Sequence, residues 1–193
     1  MRKLKIFSHV SLDGVMQHTA DENGFPYGGW TGAYRSPEGM ELTLAHHGAS
    51  FDLVLGRRTY DAWSQFWPKA PSGPFADRLN AATKHVVTHR PTGLAWGPFK
   101  AIGPDPVEGI RRLKSEEGRD LVLSGSSTLT STVLEHGLAD EVVLAIYPVM
   151  LGTGKRFFAE GTPGRALELV STQTTQTGII LSSYKVTGAL KAA

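Results

Sequence analysis

Hydrophobic and polar positions alternate at the start of the chain. Leu4, Ile6, Ser8 and Val10 fall on one side and Lys3, Lys5, Phe7 and His9 on the other, which predicts a strand with unequal faces. The alternation stops at Ser11-Leu12-Asp13-Gly14. From Val15 to Arg35 no period holds, and the supply of Gly, Asn, Asp, Pro and aromatic residues predicts a long loop of the kind that usually carries function. Ser36-Pro37-Glu38 predicts a helix start, because serine caps, proline fits the first turn and the acid faces the positive dipole end; the helix should run to about His47 and end at Gly48. Leu53-Val54-Leu55 and Leu121-Val122-Leu123 are short, continuously apolar runs typical of strands buried on both faces.

Tyr60, Trp63 and Phe66 or Trp67 recur at helical spacing, so a helix beginning near Arg57 should pack an aromatic face inward, with Trp63, Phe66 and Trp67 read as core. A short helix around Phe75 to Ala82 precedes a strand at His85 to Thr88, and Phe99 to Ile102 reads as another strand. Asp105-Pro106-Val107-Glu108 opens a helix with Val107, Ile110 and Leu113 aligned. Ser124 to Ser127 leads into one with Leu129, Val133 and Leu134, closed by Gly137. After Glu141 the pattern changes to strands alone, near 141–149, 166–172 and 179–187. Alternating βα units followed by strands alone predict one α/β domain over residues 1–193, with a mostly parallel central sheet, helices on both faces and an antiparallel C-terminal edge.

Composition narrows the chemistry. The chain has no cysteine, which excludes disulfides, thiolate metal sites and cysteine nucleophiles. A net charge of +2 is too balanced to make nucleic acid a bulk electrostatic partner. The first residues reach Ser8 and His9 before a long apolar run develops, so neither a signal peptide nor a membrane anchor is expected, and the cytoplasm is the expected location. His85 and His89 have the interval of a helical metal pair, but on a strand four steps span roughly 13 Å, too far for one ion, and no metal is expected.

Three strand ends stand out: Gly56-Arg57-Arg58-Thr59, Thr88-His89-Arg90, and Ser124-Gly125-Ser126-Ser127-Thr128. In an open parallel sheet the carboxyl ends of strands share one rim, where helix N-termini and free N–H groups suit an anionic ligand. Gly125 permits close backbone approach, and the hydroxyls of Ser126, Ser127 and Thr128 are donors. Arg57 and Thr59 offer similar groups at the other helix start, and Arg90 is a candidate for the extra phosphate of a 2′-phosphorylated dinucleotide. The bland alternatives are tight turns, caps and solvated arginines. No G-x-G-x-x-G occurs, Gly152-Thr153-Gly154-Lys155-Arg156 is not a Walker loop, and Ser126 is not in G-x-S-x-G.

The ordered set Ser11-Leu12-Asp13-Gly14, Gly56-Arg57-Arg58-Thr59-Tyr60, Leu123-Ser124-Gly125-Ser126-Ser127-Thr128-Leu129, Asp140-Glu141-Val142 and Pro148 to Gly154 resembles the dihydrofolate reductase-like superfamily. Within it the chain most resembles the reductase domain of the riboflavin-biosynthesis deaminase-reductase and its stand-alone relatives, from Lys3 to about Val186. The resemblance implies a dihydrofolate reductase-like fold and an NADPH-dependent reductase of a small, planar, pterin-like or riboflavin-precursor-like substrate. By that likeness Gly56, Arg57, Thr59 and Gly125 to Leu129 meet the cofactor's phosphates, Thr88, His89 and Arg90 its 2′-phosphate, and Asp13 and Gly14 flank the nicotinamide.

Where a folate reductase carries a helical carboxylate this chain has Glu38 and Glu41; Glu41 and Asp13 are the candidate catalytic acids, and Glu38 and Trp30 the candidate substrate contacts. Relatives commonly have paired glycines where Ser124-Gly125 stands, and no deaminase zinc motif is present. Similar reductases imply a homodimer through the late strands and the Pro148 to Phe158 connection. The rival expectations are a nucleotide-binding sensor or assembly module without turnover, and a hydrolase using Ser126 or Ser127.

Overall fold

The computed structural model describes residues 1–18, 24–103 and 105–190; part of the predicted long loop lies outside them. The elements, in chain order, are β1 (Leu4–Ser11), α1 (Pro37–His47), β2 (Asp52–Gly56), α2 (Arg57–Phe66), α3 (Pro74–Ala81), β3 (Lys84–Val87), β4 (Phe99–Ile102), α4 (Pro106–Ser115), β5 (Leu121–Ser124), α5 (Ser127–Glu135), β6 (Glu141–Tyr147), β7 (Arg165–Thr174) and β8 (Ile180–Ala189). A short 3₁₀ turn at Trp30–Tyr34 precedes α1. The strands form an eight-stranded sheet in the order β4-β3-β2-β5-β1-β6-β8-β7. β1 to β6 are mutually parallel, and β8 and β7 close the sheet antiparallel. Fold class, parallel core and antiparallel C-terminal edge agree with the sequence pattern.

The apolar triplets explain the centre. Leu53, Val54 and Leu55 on β2, with Leu121, Val122 and Leu123 on β5, are buried and feed alternate faces. One face joins Leu4, Ile6, Val10, Val54, Leu121 and Leu123 to Ile110 and Leu113 of α4 and Leu129 and Val133 of α5. The other joins Phe7, Leu53, Leu55, Val122, Val143 and Tyr147 to Tyr60 of α2 and Leu79 of α3, with Leu42 of α1 packed against it. Each such side chain contributes roughly 1.5–3 kcal/mol on leaving water.

Local signals set the helix starts. The Ser36 hydroxyl accepts from the Gly39 N–H and Pro37 occupies the first turn of α1. The Asp105 carboxylate accepts from Val107 and Glu108 at the start of α4. The aromatic face of α2 needs correction: Tyr60 is buried and Trp63 packs beside it, but Phe66 is 58% exposed. At 100° per residue Phe66 lies about 240° around the helix from Tyr60, off the stripe that Tyr60, Trp63 and Trp67 share.

Candidate cofactor and substrate site

Because β3, β2, β5 and β1 are parallel, their carboxyl ends share one border, and the structure brings the three turns there into contact. The Arg57 Nη1 donates to the backbone oxygens of Arg90 (2.5 Å) and Thr92 (3.0 Å), joining the start of α2 to the turn after β3. A Cβ on Gly125 would lie 2.7 Å from the Thr59 Oγ1, and one on Gly56 would lie 3.1 Å from the Ser126 side chain. The 56–59, 88–92 and 124–128 stretches therefore form one continuous surface. The N-termini of α2 and α5 both open onto it, and their unpaired N–H groups and dipoles favour negative charge.

Strand length carves a notch into this border. β1 pairs with β5 only from Leu4 to Phe7 but with β6 as far as Ser11, so Ser8 to Ser11 project beyond the last residue of β5. Across the gap lies Gly56, with Gly125 as its floor. Gly125 (φ +72°) and Ser126 (φ +52°) both adopt left-handed backbone there. Such a conformation is rare for serine and marks sites where surrounding contacts hold a strained turn. Here the Ser126 hydroxyl accepts from the Leu129 N–H at 3.3 Å and caps α5.

Several candidate side chains turn out to be committed to the turns. Arg57 binds Asp61 through Nε (2.8 and 3.0 Å) as well as the two carbonyls, so it straps α2 to the β3 turn. The Thr88 hydroxyl donates to the Arg90 carbonyl and accepts from its N–H, shaping the turn from within. The Leu129 side chain belongs to the core and its N–H is used by Ser126, so only the neighbouring Ser127 and Thr128 remain outward. His89 and Arg90 are exposed at the border, and no side-chain partner of either is recorded among the described residues. Arg90 is thus an exposed cation at the β3 end of the border.

At the end of β1 the candidate acids have structural duties. Asp13 accepts from the Ser11 hydroxyl (2.6 Å) and from the N–H groups of Leu151 (3.1 Å) and Gly152 (2.9 Å). The Ser11 hydroxyl, followed by these backbone donors, holds its carboxyl down at about 2, the wrong direction for a proton donor at neutral pH. The carboxylate fastens the Ser11–Gly14 turn to the 148–158 segment, where Phe157 N–H also donates to the Gly14 carbonyl. Glu38 accepts from the Gln176 N–H at 2.9 Å, tying α1 to the β7–β8 turn. Glu41 is exposed on α1.

Trp30 donates from Nε1 to the Gln17 carbonyl (2.7 Å) and sets its ring against Tyr147 at 5.1 Å, so it anchors the loop and walls the site together. Sequence reading missed His9 and Tyr147, which lie behind it. The Tyr147 hydroxyl is 3.0 Å from His9 Nδ1, and Tyr34 meets Tyr147 edge-on at 5.7 Å. Two cavities, of about 200 Å³ beside Leu134, Phe158 and Leu167 and of about 230 Å³ beside Gln17, Phe25 and Lys155, lie outside the border. Among the described residues no three metal-ligating side chains converge, and no helix is long and apolar enough to cross a membrane.

A parallel core of six strands, an antiparallel terminal pair and an open carboxyl-end border define a dihydrofolate reductase-like α/β protein. The backbone superimposes on dihydrofolate reductase from Enterococcus faecalis, solved with NADP(H), with a TM-score of 0.61 over 96% of each chain at 16% identity. It superimposes on a putative riboflavin biosynthesis protein from Shewanella sp. PV-4 with a TM-score of 0.73, covering 95% of this chain and 98% of that one at 17% identity. The chain belongs to the RibD C-terminal domain family, whose model matches residues 2–181. It is also 30% identical to the uncharacterized protein YyaP of Bacillus subtilis over 140 residues, 70% of this chain and 74% of YyaP. Family and fold are those of reductases.

Proposed function

We propose that the chain is an NADPH-dependent reductase of a small planar substrate, with the dinucleotide lying across the 56–59, 88–90 and 124–128 border and its ring entering the notch beside Ser8 to Ser11. The observation that carries this reading is the contact of all three turns at one border, left open where a Cβ on Gly125 would strike Thr59. The residues present fit the cofactor: two helix N-termini open onto the border, Ser127 and Thr128 stand in the first turn of α5 clear of the core, and Arg90 is exposed at the β3 end. NADPH would supply a hydride; the chain's own groups hold the phosphates, orient the ring and exclude water.

Titration with NADPH and NADH, followed by tryptophan fluorescence, tests the reading, and absence of saturable binding by either discards it. Arg90→Ala should weaken NADPH at least tenfold and leave NADH within about twofold, since a charge-assisted bond to phosphate is worth about 1.5–3 kcal/mol. Equal losses for both nucleotides discard the assignment of Arg90 to the 2′-phosphate.

The duties of Asp13 and Glu38 favour a second reading, a nucleotide-binding module without turnover. Oxidation of NADPH above background in the presence of pterins, flavin precursors or carbonyl heterocycles rules it out.

The reading extends to a homodimer. β7 is an edge strand of ten residues whose Leu167, Leu169 and Val170 are exposed, and a long apolar edge is a template for a second copy related by a two-fold axis. Light scattering at micromolar concentration should give twice the chain mass of 20.8 kDa, and Leu169→Lys should halve it. A wild-type monomer removes the extension.

A further inference from the structure

His9 and Tyr147 are far apart in sequence and meet because β1 and β6 pair in parallel, with Ser11 opposite Tyr147. Both stand on the part of β1 and β6 that projects past the end of β5, beside the notch. Three rings enclose the pair: Trp30 and Tyr34 meet the Tyr147 ring edge-on at 5.1 and 5.7 Å, and Phe7 meets the His9 ring at 5.3 Å. Tyr147 is 5% exposed, while His9 keeps an opening to solvent.

The hydrogen bond between them has a direction. Burial pushes the Tyr147 phenol up to about 12, so it holds its proton at neutral pH. The acceptor recorded for that proton among the described residues is His9 Nδ1, and a buried O–H without an acceptor is costly. Burial, then the neighbouring His47, His18 and Arg35, lower His9 to about 4, so the imidazole is neutral and Nδ1 is free to accept. Tyr147 therefore donates to Nδ1, which leaves the other ring nitrogen, Nε2, carrying a hydrogen.

We propose that His9 is the catalytic residue that gives a proton to the substrate and that Tyr147 is the residue that positions and recharges it. The inference rests on the reductase reading above and assigns that site a substrate class: a flat ring whose hydride-accepting carbon is double-bonded to oxygen or nitrogen. Hydride from the nicotinamide breaks the C=O or C=N π bond and leaves an electron pair on the heteroatom. The His9 Nε2–H bond breaks as a new O–H or N–H bond forms there. In the same movement the Tyr147 O–H proton passes to Nδ1, so the ring stays neutral and the negative charge rests on the tyrosine oxygen. Water then returns a proton at Nε2, and the Nδ1 proton goes back to Tyr147. His47 on α1, with His18 and Arg35 of the 15–35 segment, are the charged or titratable groups facing the pair.

The test uses isatin, a planar heterocycle with a reactive ketone, as the probe. Long-range ¹H–¹⁵N spectra of the wild-type apo protein should show His9 as a single Nε2–H form, and Tyr147→Phe should convert it to a mixture. With NADPH and isatin, Tyr147→Phe should lower kcat at least tenfold, keep KM within about threefold, turn the two-proton solvent isotope dependence of kcat into a one-proton one in a proton inventory, and leave NADPH affinity within about twofold. His9→Gln, a second variant that leaves Tyr147 in place, should show the same low kcat with intact NADPH affinity. Wild-type rates in either variant, or an Nδ1–H form in the apo protein, overturn the inference and leave the reductase reading standing. So does wild-type protein that binds NADPH but leaves isatin unreduced. Failure of wild-type protein to bind NADPH removes both.

Discussion

Replacing Gly125 with alanine is expected to cost the fold about 2–5 kcal/mol and to close the border to a dinucleotide. Two separate effects sum. At φ +72° an L-residue loses about 1–2 kcal/mol against glycine, and the new Cβ would lie 2.7 and 2.8 Å from the Thr59 Oγ1 and Cγ2, an overpacking that typically costs about 1–3 kcal/mol. Thr59 sits in the first turn of α2, whose Arg57 is held by two carbonyls of the β3 turn, so the strain spreads to all three turns. Combining Gly125→Ala with Thr59→Ala removes both clashing atoms and should restore the steric share, not the backbone share, in urea denaturation. Strict additivity of the two substitutions would show that the turns do not touch as described. On the proposed cofactor placement, NADPH affinity falls with Gly125→Ala and recovers only in part in the double variant.

Acid should destabilise the protein well above the range where carboxylates titrate. His9 and His47 are both lowered to about 4, by burial first and then, for His9, by positive neighbours; for His47 a hydrogen bond to the Thr43 carbonyl partly offsets burial. The His47 ring lies among Phe7, Phe51 and Phe75, with centroids 4.3 to 5.2 Å away. The unfolded chain takes up these protons near pH 6.5, whereas the folded chain resists until about 4. The stabilisation is thus whole above pH 6.5 and lost as pH falls from 6.5 to 4. Linkage gives about 2 kcal/mol per histidine between pH 7 and pH 5, so roughly 3–4 for the pair. Asp13, held at about 2, adds to the loss in the same sense, but only below about pH 4. Urea midpoints at pH 7 and 5 measure the loss, and His47→Asn should flatten about half of it. Equal midpoints at the two pH values in wild type would contradict the burial of these rings.

The fold was legible in the sequence because its signals are local. The Leu-Val-Leu runs, the Ser36-Pro37 start and the change to strands alone after Glu141 each place an element without reference to the rest. The common border followed, since parallel strands force their carboxyl ends to one side. Individual roles did not follow, because they depend on partners far away in the chain. Asp13 looks like a free acid until Leu151 and Gly152 arrive, and Arg57 looks like a phosphate ligand until the 90–92 carbonyls take it. Tyr147 read as an ordinary strand residue and His9 as part of an alternating face; their meeting depends on the β1–β6 register, which no periodicity encodes. Phe66 was misplaced for a simpler reason: two aromatic residues in succession cannot both lie on one helical stripe.

The first strand made lies in the middle of the sheet, with β5 on one flank and β6 on the other. On the ribosome it must wait until residues 121–147 have emerged, holding Leu4, Ile6, Phe7 and Val10 without their eventual neighbours. Contacts of such long sequence separation make for slow maturation and a prolonged need for protection from aggregation. Truncation before residue 147 therefore leaves the notch without its β6 wall, so no shorter nascent chain carries a complete border.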